Sequence, residues 1–250
     1  MTMPIIDTAF ILLGLTVFVA GVARGLAGFG TGMIVAPIAG ALYGPKAAVI
    51  IIVFIDLLPA LPVTIPALRI AAWREVLPIL GGMAISVPLG VWILSHAPEL
   101  PLRLFIAAAI LLCAAALWRG WRYHGERTLP KSLGVGTVAG VLSGVAQIPG
   151  PPVLVYWLAS PLPAAIIRAN LMTLFFLATF ITILNLYWSD LFTQEAMMLG
   201  VVLSAPYFAG ILTGWAFYGR TSDARYRQIT LALVVLSALL SLPWREMFAG

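Results

Sequence analysis

Two stretches of this 250-residue chain carry residue types that could hold an anion. Ala20 to Pro45 reads AGVARGLAGFGTGMIVAPIAGALYGP, with glycines at 21, 25, 28, 30 and 32 and a single charge, Arg24. Ala139 to Pro163, AGVLSGVAQIPGPPVLVYWLASPLP, is a second version of it. The chemistry open to such a stretch is electrostatic. Where a helix is interrupted, the next half-helix begins with unbonded N–H groups and the positive end of a dipole. Such ends bind anions. Glycine lets backbone approach an oxyanion closely, and proline stops the helix from continuing. Gly28, Phe29, Gly30, Thr31 and Gly32 in the first copy, with Gln147, Pro149 and Gly150 in the second, are therefore candidate binding residues.

Side chains add to the pattern. Arg24 and Arg168 are the cations nearest the two breaks, and either could pair with an anionic substrate. The alternatives are a boundary charge for Arg24 and a snorkelling residue near the membrane face for Arg168. Asp56 is the one acid well inside an apolar span. A carboxylate at the bilayer centre costs roughly 2.5–3.5 kcal/mol, so Asp56 needs a role. The options are a proton-coupling site, a cation site, an ion pair with an arginine, or a protonated carboxyl bonded to a neighbouring helix. Tyr156, Asn170 and Asn185 are further candidates to line the same cavity as Gln147, whereas Trp157 reads as a packing residue. Glycines 21, 25, 140 and 144 are read as part of the anion-approaching breaks, with helix packing as the alternative.

Other chemistries find little support. His96 and His124 have no partner at metal-ligand spacing, so no metal site is expected. Gly28-x-Gly30-x-Gly32 lacks the preceding strand and following acid of a nucleotide fingerprint. Neither a Ser-His-Asp pattern nor a helix with paired carboxylates is found, so the expectation is no enzyme and no cofactor.

The elements that must position these residues are membrane spans. The chain is 62% hydrophobic and 9% charged, with a mean hydropathy of +1.07. A soluble core cannot use that much apolar sequence. The apolar runs are long and continuous, without period-two alternation, which favours helices over a barrel. The net charge of +5 is read as positive loops on the cytoplasmic side, not as a nucleic-acid surface. Cys113 is the single cysteine and reads as a buried, inert thiol. The first apolar run has no basic residue before it and is taken as a retained helix, not a secretory signal.

Expected spans run Ile5–Ala23, Pro45–Pro62, Val76–Leu94 and Leu102–Trp118, then one opening at Ser132, then Leu162–Leu186, Ala196–Phe217 and Ile229–Leu242. Pro88 invites a kink in the third of these. Met33–Tyr43 and Val153–Ala159 are too short to cross alone. Eleven residues at ~1.5 Å each reach ~16 Å against a hydrocarbon core of ~30 Å. They read as halves of broken or re-entrant helices. Loops are expected at Arg69–Val76, Ser95–Pro101, Trp188–Glu195 and Tyr218–Arg227, with a polar connector at Arg119–Lys131.

Gly21, Gly25 and Ala27 match Gly140, Gly144 and Ala146 at a constant offset, and Pro45 and Pro163 close the two motifs. This is the self-similarity of a transporter with internal repeats. The expected fold is all-α and polytopic, with about 8–10 helical segments in two inverted repeats, each opening with a broken or re-entrant helix. Residues 1–118 form the first repeat, 119–131 a cytoplasmic connector and 132–250 the second repeat. Placing the basic loops in the cytoplasm makes the repeats run oppositely and puts both termini on the non-cytoplasmic side.

Gly21–Val49, GVARGLAGFGTGMIVAPIAGALYGPKAAV, and its echo over Gly140–Leu171 resemble the TauE/SafE (sulfite exporter-like) permeases, also grouped with toluenesulfonate uptake permeases. The resemblance covers nearly the whole chain. It implies an inner-membrane transporter, of the exporter kind, for a small sulfur-containing anion such as sulfite or an organosulfonate, working by alternating access. The implied partners are that anion and the lipid bilayer, with monomer and homodimer both open. A permease for a carboxylate or metal cation, or a non-transporting membrane scaffold, are the rival readings. The second copy has Gln147, Pro149, Pro151 and Pro152 where the first has glycines or Thr31, so an asymmetric site is expected.

Overall fold

The computed structural model describes residues 7–119, 125–157, 160 and 162–217. Regular structure among them is entirely helical: α1 (Thr8–Ala27), α2 (Thr31–Tyr43), α3 (Pro45–Leu57), α4 (Leu61–Ile70), α5 (Trp73–His96), α6 (Glu99–Trp118), α7 (Leu129–Ala146), α8 (Gly150–Trp157), α9 (Ala164–Trp188) and α10 (Gln194–Phe217). The expected span Ile229–Leu242, the basic loop Tyr218–Arg227, and Trp121, Tyr123 and His124 of the connector lie outside the described residues.

Helices α1, α5, α7, α9 and α10 are long and apolar enough to cross a membrane. Their outward faces carry large apolar side chains, with Ile85 76% and Trp215 58% exposed. Such a surface suits lipid and not water. The chain is a polytopic membrane protein, as its composition implies.

Local chemistry moves several boundaries away from expectation. Asp7 caps α1 by accepting the Phe10 N–H at 2.8 Å, and the helix continues past Ala23, through Arg24, to Ala27. The span expected over Pro45–Pro62 is two helices, α3 and α4, bent by 69°. Pro59 and Pro62 lie at that bend, where their missing amides cannot sustain a straight helix. The loops expected at Arg69–Val76 and Ser95–Pro101 shrink to Ala71–Ala72 and Ala97–Pro98. Their acids, Glu75 and Glu99, belong instead to the first turns of α5 and α6, where a negative charge meets the positive helix end. α5 runs on through Pro78 and Pro88. α8 starts at Gly150, before the expected Val153, because its first turn tolerates Pro151 and Pro152.

Two helix pairs dominate the packing: α1 lies along α10, and α7 along α5. Both are backbone-to-backbone contacts. A Cβ added at Gly21 would collide with the Tyr207 carbonyl, and one at Gly25 with the Ile211 carbonyl. In the other pair, a Cβ at Gly140 would meet Ser86 and Met83, and one at Gly144 would meet Val87, Gly90 and Val91. Gly210 and Gly214 on α10, and Gly82 and Gly90 on α5, return these contacts. The reading of glycines 21, 25, 140 and 144 as anion-approaching is therefore corrected. In lipid, helices associate through close packing, and small residues permit it.

Gly144→Val should force α7 off α5 and lower stability by on the order of 1–3 kcal/mol, read from thermal unfolding in detergent. Gly134→Ala, where a new Cβ meets nothing within 4 Å, should be neutral or slightly stabilising. Equal effects at the two positions would contradict the packing role.

Candidate functional site

Both long opening helices break where the glycine and proline pattern places a break. α1 gives way to α2 through Gly28, Phe29 and Gly30. Gly28 (φ 81°) and Gly30 (φ 109°) hold left-handed conformations that a Cβ would oppose. α7 gives way to α8 through Gln147, Ile148 and Pro149. Gln147 takes the left-handed conformation (φ 57°) without being glycine. Its amide and its side-chain Nε2 both donate to the Ser143 carbonyl, at 2.8 and 3.0 Å, which offsets part of the cost. The breaks touch: a Cβ at Gly32 would collide with the Gln147 carbonyl.

A small cavity of about 20 Å³ lies at this contact. The first break contributes Gly30, Thr31 and Gly32, and the second contributes Gln147, Pro149 and Gly150. Arg24 and Asp56 line it from α1 and α3, while Ser143, Phe175 and Thr179 close it from α7 and α9. The two breaks are not equivalent donors. A helix leaves its first four amides without intrahelical acceptors. At α2 these belong to Gly30, Thr31, Gly32 and Met33, all of which line the cavity. At α8, Pro149, Pro151 and Pro152 have no N–H, so Gly150 alone can donate.

Arg24 is only 2% exposed. Its Nε and Nη2 are buried without a hydrogen-bond partner. The ion pairs among the described residues are Arg103–Glu99 and Arg127–Glu75, so none of the described acids lies within ion-pair distance of Arg24. The Phe175 ring lies 5.6 Å from the guanidinium carbon and offers a cation–π contact. A buried charge with so little compensation costs several kcal/mol. The arrangement is suited to receiving an anion that supplies the missing acceptors.

Asp56 is buried beside Arg24 but takes its hydrogen bonds elsewhere. Its Oδ1 accepts from the Thr31 hydroxyl at 3.1 Å and from the Tyr207 phenol, and the Thr31 and Tyr207 oxygens lie 2.7 Å apart. Of the roles open to Asp56, a direct ion pair with an arginine is absent among the described residues.

The remaining candidates do not line the cavity. The Arg168 guanidinium turns to the end of α1, where Nε donates to the Leu26 carbonyl at 3.0 Å and Nη2 to the Gly25 carbonyl. It satisfies carbonyls that a helix end leaves open and opposes the negative end of the dipole. Gly28 packs against the Arg168 and Met172 side chains. Tyr156 shares a 2.8 Å hydrogen bond with Ser132. Asn170 accepts the Ala72 N–H at 2.7 Å, tying the α4–α5 turn to α9. Phe29 flanks Gly150, and Asn185 bonds its own helix at Ile181. Sequence reasoning missed Tyr207, Ser143, Phe175 and Thr179. For Tyr207 a signal existed: it lies in the middle of a span, away from the headgroup level where tyrosines collect.

The sequence model of a family described as "Sulfite exporter TauE/SafE" matches residues 13–241. No curated protein and no solved structure matches the chain.

The two arginines should respond oppositely to removal. Arg168→Ala should lower the unfolding free energy by about 1.5–3 kcal/mol, the worth of charge-assisted hydrogen bonds. Arg24→Met should leave ligand-free stability unchanged or raised, since it deletes a buried charge whose Nε and Nη2 have no hydrogen-bond partner. Thermal melts without added anion check both, and a marked loss in Arg24→Met would mean that the protein itself already satisfies the guanidinium.

Proposed function

The chain belongs to the TauE/SafE family of sulfite exporter-like membrane transporters, and we propose that it carries a small sulfur-containing anion, sulfite or a short organosulfonate, through the cavity between its helix breaks. The observation that carries this reading is Arg24, buried on that cavity with two nitrogens unpartnered. The α2 amides stand beside it as further donors to an oxyanion.

The movement we propose is alternating access between two inverted halves, residues 1–118 and 132–250, joined by the 119–131 connector. In support, each half opens with a broken helix, and each opening helix packs against a span of the other half. The membrane proposed is a bacterial-type inner membrane. The basic loops would face the cytoplasm and both termini the opposite side. Export is the direction proposed, following the family's description. Absence of anion transport in proteoliposomes, with break residues that tolerate Ala or Leu without loss of stability, would favour the scaffold reading instead.

Sulfite and methanesulfonate should each raise the melting temperature of the purified protein, by an amount equivalent to about 2.7 kcal/mol at a hundredfold excess over Kd. Arg24→Met should weaken that binding by about 10- to 100-fold, while folded Arg168→Ala should bind as wild type does. Competition in proteoliposomes by acetate but not by sulfonates would redirect the assignment to a carboxylate permease.

A further inference from the structure

A hydroxyl, a phenol and a carboxyl meet beside the cavity. Thr31 Oγ1, Tyr207 OH and Asp56 Oδ1 each lie within hydrogen-bond reach of the other two. All three residues are buried. Three such oxygens define three edges, and each edge needs its own proton. The two hydroxyls bring two. Of these groups only the carboxyl can supply another, so the triangle is complete when Asp56 is protonated and one edge short when it is ionised.

The triangle is joined to the cavity that holds Arg24. Thr31 is the first residue of α2 and lines the cavity. Asp56 lines the same cavity as Arg24. Among the described residues, the charged or titratable groups facing Asp56 are Tyr207 from α10 and Arg24 from α1. From α2 comes Thr31, and from α7 and α9 come Ser143, Gln147 and Thr179, none of which changes charge. With Asp56 ionised, the cavity holds one cation and one anion and has no charge left for a ligand. With Asp56 protonated, Arg24 stands uncompensated and a single negative charge balances it.

We infer that Asp56 takes up a proton as a monoanion binds, so that the two occupy the protein together, and that Thr31 and Tyr207 are the positioning residues for that proton. The inference rests on the anion-carrier reading above. The proton bonds to Asp56 and no covalent bond of the anion changes. Loss of the proton empties one edge: the carboxylate accepts from both hydroxyls, and the Thr31–Tyr207 contact is left without a proton. Deprotonation thus loosens the first turn of α2 from α10 and withdraws the uncompensated positive charge, and both changes favour release of the anion.

The test uses methanesulfonate, which keeps its single charge over about pH 5 to 8. Calorimetric titration of the purified protein in two buffers of different ionisation heat reads proton uptake directly. The expected result is proton uptake approaching about one per anion bound, with affinity falling about tenfold per pH unit once Asp56 is ionised in the free protein. Asp56→Asn should bind methanesulfonate with the low-pH affinity of wild type at every pH and take up no proton, while Asp56→Glu should keep the uptake. Wild-type binding that is independent of pH and takes up no proton overturns the inference, whether or not the variants fold, and leaves the anion-carrier reading standing. Uptake that survives in Asp56→Asn overturns it as well. If neither methanesulfonate nor sulfite binds at any pH, the anion-carrier reading falls first and the inference with it.

Discussion

A guanidinium shut away from water must find acceptors, and the surroundings of Arg24 are arranged so that the protein supplies too few of them. The helix that carries it is fixed tightly. Gly21 and Gly25 seat α1 directly on the α10 backbone, leaving no slack to lift the side chain toward the membrane surface. One turn further on, the Gly28 N–H closes onto the Arg24 carbonyl at 2.8 Å and the chain leaves the helix. The break therefore falls where the amides of α2 arrive beside the charge. Phe175 presents its ring to the cation but accepts no conventional hydrogen bond. Docking, breakage and the placement of α2 all converge on a buried guanidinium whose Nε and Nη2 lack acceptors.

Glycine serves separate purposes within one short stretch. At positions 21 and 25 it removes side chains that would hold two helices apart. At 28 and 30 it permits backbone angles that other residues resist. At 32 it lets the α2 backbone reach the Gln147 carbonyl. The second break meets the same topological need with other residues. Gln147 adopts the left-handed turn and compensates through its own side chain, and prolines begin α8. The cost of that solution is donor capacity, because proline has no N–H. Breaks at matching positions are thus chemically unlike, and the donors lie mainly on the α2 side.

The sequence made Arg24, Asp56 and both breaks visible for a physical reason: charges and helix-breaking residues are expensive in an apolar span and stand out against it. What stayed hidden depends on tertiary contact. Tyr207 lies 151 positions from the carboxyl it bonds, and no local pattern links them. Arg168 reads from sequence as either a substrate ligand or a snorkelling residue, and the carbonyls to which it donates, 142 and 143 positions away, leave no local trace. The polar residues that suggested loops at Glu75 and Glu99 are first-turn helix residues, since a loop and a helix start favour similar side chains. The glycine pairs were seen but misassigned, because spacing alone does not distinguish a glycine facing another helix from one facing a ligand.

The interlocked helix pairs also bear on how the protein is made. The ribosome delivers α5 and α7 with only α6 and the connector between them, so their glycine faces can meet early. α1 has no such neighbour. Its partner α10 is the last of the described helices to be synthesised. Until then the small-residue face of α1 is left to lipid or to a substitute partner, and the chain carries a polar arginine on a helix with no settled seat. Until α10 is made, Arg24 therefore rides on a helix that lacks its main packing partner.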